Sequence, residues 1–205
     1  DVANFYKQTF VPEGSFLVIV GDITKAKAEE VVNQYFGTWS GKTVAKVDYP
    51  SAKNLNGNRV IFVKKPGAVQ SFVQVAFPID MKIGAADQIP MSVTNSIFGG
   101  SGFGTRLMQN LREDKAYTYG SYSRLNVEPQ GAYISASGSF RTDVTDSAIT
   151  QLLFELDRIG DSYVTDHELE LTKSSMSGGF ARSLESASTI ARFALNIERF
   201  GLDKD

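Results

Sequence analysis

Between residues 132 and 159 the chain changes its hydrophobic period from two to about 3.6. Ile134, Ala136, Gly138 and Phe140 alternate with Tyr133, Ser135, Ser137 and Ser139. A strand patterned this way has one dry face and one wet face. Shortly afterwards Val144, Ala148, Ile149, Leu152, Leu153, Leu156 and Ile159 trace one side of a helix, with Gly160 expected to stop it. A dry sheet face must be covered, and an amphipathic helix that follows directly is a natural cover. The pattern predicts an α+β fold: a two-layer domain with a largely antiparallel sheet and helices packed on one face.

The rest of the chain supplies the other parts. A helix is expected over 2–10 and a doubly buried strand over 16–20, where the apolar run is continuous. Thr24 caps a second helix that Gly37 should end. Residues 46–58 are polar and rich in breakers and read as a linker. Strands follow at 59–63 and 70–77, the second ended by Pro78. Next come a helix over 86–98 with Pro90 in its first turn, a glycine-rich bend, and a helix from about 105 to 115. A hairpin joins 117–126 to 132–140 across Glu128-Pro-Gln-Gly. Thr165 with Glu168 forms a capping box that opens a further helix, and 184–199 is the last.

The segment 97–122 carries the functional interest. Gly99, Gly100, Ser101, Gly102, Phe103 and Gly104 form the bend, and Arg112 and Tyr119 lie just beyond it. A P-loop would need Lys and then Ser or Thr after Gly104, where Thr105 and Arg106 stand. The dinucleotide fingerprint fails as well, because no glycine occupies its third place. Several glycines so close together suggest a tight corner or close approach by another backbone. Taken alone, Arg112 beside Glu113 and Asp114 reads as a solvated helix residue, and Tyr119 as a strand residue with a wet hydroxyl.

Composition narrows the chemistry. The 205 residues carry a net charge of −2 with acids and bases intermixed, so no basic stripe for nucleic acid is visible. No apolar run approaches the roughly 20 residues of a membrane helix. Cysteine is absent, and His167 is the single histidine. A zinc peptidase site needs two histidines on one helical face with a carboxylate, so no closed zinc site is expected within this chain. A Ser–His–Asp triad would need the same histidine and lacks its nucleophile elbow. No catalytic residue and no metal ligand is therefore assigned. The opening at Asp1 and the close at 200–205 read as cut from something longer.

The order Pro12-Glu-Gly-Ser-Phe-Leu-Val-Ile-Val-Gly-Asp, Tyr35-Phe-Gly-Thr-Trp, Gly99-Gly-Ser-Gly-Phe-Gly-Thr-Arg-Leu and Leu111-Arg-Glu-Asp-Lys-Ala-Tyr-Thr-Tyr resembles the M16 family of zinc metallopeptidases over nearly the whole chain. The resemblance implies two homologous α+β domains facing each other as a clamshell. The first bears a His-x-x-Glu-His zinc helix; the second bears none and contacts substrate. On this reading 1–45 is the tail of the zinc-bearing half, 46–58 the linker, and 59–205 a truncated non-catalytic domain. The family's second domain uses an Arg and a Tyr seven residues later, and Arg112 and Tyr119 match that spacing and context. They would hold a substrate carbonyl or its developing oxyanion, with residues 99–104 as a substrate-contact loop. The implied partners are a zinc-bearing M16 domain, in the same polypeptide or a partner subunit, and a peptide or unfolded protein as substrate. The chain should be inactive by itself, with zinc held in the other domain, and should tend to self-associate. The alternative is a non-enzymatic scaffold subunit of the same fold. Compartment is left open between the bacterial cell envelope and the cytoplasm.

Overall fold

The computed structural model describes residues 1–42 and 57–203. The described residues form two compact units, one made of those up to 42 together with Ser177 onward, the other running from 57 to Met176. Most of the expected linker lies outside the described residues.

The second unit is built on an antiparallel sheet. β1 (Gln70–Ile79), β2 (Thr118–Glu128) and β3 (Gly131–Arg141) are ordered β1-β3-β2. The hairpin puts Glu128 opposite Gly131, whose φ of 154° closes the turn. β3 is central, so its alternation is satisfied on both edges: Val73 pairs with Gly138 and Val75 with Ala136 on the dry face. That face meets the helices in one core of Phe98, Leu107, Leu111, Ala136, Phe140, Ala148 and Leu152. The two-layer α+β arrangement follows from this packing. β1 continues through Pro78, which was expected to stop it; on an edge strand the missing N–H removes no ladder bond that the sheet needs.

Three of the next four helices pack on the sheet. α3 (Gln88–Asn95) passes into a π-helical turn at Ser96–Gly100. Beyond the glycine bend α4 (Arg106–Met108) passes into a second π-helical turn, Gln109–Asp114. α5 (Thr145–Asp161) lays Ala148 and Leu152 on the core and runs through Gly160 to end at Ser162. α6 (Asp166–Ser183) opens with the expected capping box, Thr165 N–H donating to Glu168 Oε2 at 2.8 Å and Glu168 N–H to Thr165 Oγ1 at 3.2 Å.

The first unit contains α1 (Val2–Thr9), α2 (Lys25–Phe36) and α7 (Ala187–Phe200). Thr24 caps α2 by accepting from Lys27 N–H at 3.3 Å. Phe180 and Phe193 pack with centroids 6.0 Å apart. Two expected strands are not formed. Residues 16–20 and 59–63 have no ladder partner among the described residues, and Phe16, Leu17, Val60 and Phe62 are exposed. An apolar run fixes what a strand can bury; pairing also needs a strand edge alongside, and neither segment pairs with β1 or β2, the two edges of the described sheet.

Candidate functional site

The corner between α3 and β2 is shaped by packing. Gly99 is buried, and a Cβ there would come within 2.6 Å of Ser123 N and 2.7 Å of Leu107 Cδ1. Backbone cannot move aside, so only glycine allows this close approach. Ser123 ties the same corner by donating to Asn95 Oδ1 at 2.8 Å. Gly102 and Gly104, at φ 87° and 79°, hold the outer part of the bend, with open space beside each. Phe103 stands between them with its ring exposed. The expected contact loop thus divides into an inner glycine that packs and an outer Gly102-Phe103-Gly104 tip that faces solvent.

Past the bend, Thr105 caps the next helix. The chain then widens into the π-helical turn, where Lys115 N–H reaches back to Asn110 O at 3.2 Å. Ala116, at φ 51°, reverses the chain, with its N–H on Arg112 O at 3.1 Å and Tyr117 N–H on Leu111 O at 2.9 Å. β2 starts with a bulge: Thr118 faces Phe140 and Ser121 faces Gly138, so one extra residue sits in β2. The Thr118 hydroxyl secures it, lying 2.6 Å from Ser139 O and accepting from Gly120 N–H at 3.1 Å.

These devices bring the sequence-predicted residues together. The Arg112 guanidinium carbon lies 4.7 Å from the Tyr119 ring centroid and 4.7 Å from the Phe103 ring centroid. Arg112 Nε also stands 3.4 Å from Glu113 Oε1. Tyr119 is 81% exposed. Chemically this is a guanidinium, with 25% of its side chain in solvent, lying over two exposed aromatic rings, one of which carries a phenol.

A second polar constellation was not foreseen. Arg106, only 6% exposed, forks onto Glu168 with Nε–Oε1 at 2.7 Å and Nη2–Oε2 at 3.0 Å. Hydrogen bonds from Arg106, and then from Thr165, hold the Glu168 carboxyl well below its usual range, at about 2, against the opposing effect of burial. Beside this pair, Asn110 donates to the buried Glu155 at 2.7 Å, and Arg158 Nη1 lies 3.3 Å from the same carboxylate. An open cavity of about 560 Å³ runs past Arg106, Asn110, Glu155, Arg158 and Glu168; Arg112 and Tyr119 are not among its walls. The paired charges read as a brace between α4, α5 and α6. The sequence carried a hint of the bulge, since Gly120 interrupts a strand pattern; it carried none of the links from Arg106 to Glu168 and from Asn110 to Glu155, whose members are far apart in the chain.

Residues 1–176 match the family model described as the peptidase M16 inactive domain. The chain belongs to the M16 peptidase family. It is 26% identical over 187 residues to an uncharacterized zinc protease, YmxG, of Bacillus subtilis, covering 88% of this chain and 42% of that protein. It is 19% identical over 194 residues to zinc protease PqqE of Helicobacter pylori, covering 93% of this chain and 43% of that one. The fold matches the M16 inactive domain from Pseudomonas fluorescens with a TM-score of 0.74 at 23% identity, over 90% of this chain and 43% of that one. A protease from Helicobacter pylori matches at 0.78 and 17% identity, over 89% and 44% of the two chains. The M16 chain thus spans less than half the length of the curated relatives it matches.

Proposed function

We propose that this chain is the substrate-binding, non-catalytic half of a zinc-dependent M16 endopeptidase. Residues 1–45 would be the tail of the zinc-bearing half, 46–58 a linker and 59–205 the inactive domain. The residues present do not fit a zinc site. His167 is exposed, cysteine is absent, and no group of three or more potential metal ligands exists among the described residues. The metal in this reading belongs to a domain outside the chain, and a peptide is bound between the two.

The observation that carries the reading is the convergence of Arg112 and Tyr119. A π-helical turn, a left-handed residue and a bulge, all within 109–121, serve to set a guanidinium and a phenol side by side. Both are fixed hydrogen-bond donors. Placed over a scissile peptide they would donate to its carbonyl oxygen and to the oxyanion that develops there, and the outer loop at Gly102, Phe103 and Gly104 would border the bound strand. Removing one such donor typically costs about 100-fold in turnover. Tyr119→Phe and Arg112→Ala in the full-length protein should therefore each lower kcat for peptide cleavage by roughly that factor. Unchanged cleavage by both variants would remove the role.

A further inference from the structure

We infer that Phe103 is a positioning residue for the Arg112 guanidinium, an inference that rests on the reading of Arg112 as a substrate-binding donor. Phe103 is 74% exposed on a loop tip flanked by two glycines of positive φ, and no packing requirement places a large aromatic ring there. Among the described residues its ring contact is with Arg112, at 4.7 Å from the guanidinium carbon.

The manner of holding matters. An arginine that reaches out to bind a carbonyl needs its N–H groups unspent. A carboxylate fixes such a cation by consuming them, as the fork of Glu168 on Arg106 does. An aromatic ring attracts the same cation through its quadrupole and takes no N–H to an oxygen acceptor. Arg112 has Glu113 near its Nε at 3.4 Å, and among the described residues no hydrogen bond from its guanidinium to another side chain is formed. Phe103 and Tyr119 together hold the guanidinium while Glu113 stands only at its Nε, so among the described residues no carboxylate forks onto it as Glu168 does on Nε and Nη2 of Arg106. Tyr119 offers its ring to the same cation at the same distance, and Phe103 adds a second ring that carries no hydroxyl of its own. The flanking glycines at φ 87° and 79° let the tip carry the ring to the cation without strain.

The test uses the full-length protein with Phe103→Leu, Phe103→Tyr and Arg112→Ala. An exposed contact of this kind is worth roughly two- to five-fold. Phe103→Leu should lower kcat for peptide cleavage by about that factor with little change in KM, Phe103→Tyr should restore it, and Phe103→Leu should have no effect in the Arg112→Ala background. Independently of activity, the Arg112 Nε–H resonance of ¹⁵N-arginine-labelled protein should be shifted upfield by the rings. It should move back in Phe103→Leu and stay shifted in Phe103→Tyr. If Phe103→Leu leaves kcat and that resonance unchanged while Arg112→Ala slows cleavage, the inference falls and the site reading stands. If Arg112→Ala leaves cleavage unchanged, the role given to Arg112 falls, and the resonance alone decides whether Phe103 holds the cation.

Discussion

Ala116 is the only non-glycine residue with positive φ among the described residues. The position closes the helix that carries Arg112 and launches the strand that carries Tyr119, so its geometry sets how the two meet. Glycine is the usual occupant of such a left-handed cap, because a Cβ there costs about 1–2 kcal/mol. Glycine would in turn lose roughly 0.4–1 kcal/mol through the extra freedom of the unfolded chain. The first term is larger. Ala116→Gly should therefore stabilise the fold by about 0.5–1 kcal/mol, measured by urea unfolding at constant m-value. A loss of stability would show that Ala116 is unstrained or that its methyl packs. This turn was invisible in the sequence for the same reason: an alanine gives no sign of a left-handed residue, whereas Gly102 and Gly104 announced theirs.

Among the elements, α4 and α6 are coupled by the fork of Arg106 on Glu168, and the same carboxylate also caps α6 through Thr165. The pH dependence follows from the depressed carboxyl. Its folded value of about 2 lies below the ordinary 4.5, so the stabilisation is fully present above 4.5 and is lost as pH falls toward 2. Because Glu168 keeps 26% of its side-chain surface in solvent, about 2 kcal/mol is the expected size, less than the full shift would convert to. Stability measured from pH 5 downward should fall more steeply in the natural protein than in Glu168→Gln, which starts lower and stays flatter; parallel curves would refute the coupling. The capping box was legible because both partners lie within four residues of each other, and the β3 alternation and α5 stripe were legible for the same local reason. Arg106, 62 positions from Glu168, had no local signature. The strands expected at 16–20 and 59–63 failed in the opposite sense: their apolar pattern was real, but pairing is a property of a neighbour that a pattern cannot supply.

At the scale of the whole molecule, the apolar surface left over is the informative quantity. In the second unit Val60, Ile61, Phe62 and Val63 are consecutive and exposed, Phe62 at 84%, and Val69 and Phe72 are exposed as well. In the first unit Val2, Phe5, Tyr6 and Phe10 are exposed along α1 and its end. Scattered exposed side chains need no explanation, but contiguous ones mark surfaces that another chain or domain covers. Burying one such side chain is worth about 1.5–3 kcal/mol, so a run of four contributes about 6–12 kcal/mol, comparable to the roughly 4–15 kcal/mol that association costs, and the further exposed side chains add to it. The chain spans less than half of the zinc proteases it resembles, and under the function proposed above a zinc-bearing half would be the cover. By itself, then, the 22.4 kDa chain should sediment above its monomer mass as concentration rises. It should bind a hydrophobic dye, and Ile61→Lys with Phe62→Glu should suppress both effects without unfolding α5 or the sheet. Supplying the zinc-bearing half in trans should convert the self-associated material into a one-to-one complex. A chain that stays monomeric at every concentration, and ignores that half, would mean these side chains are exposed for no partner.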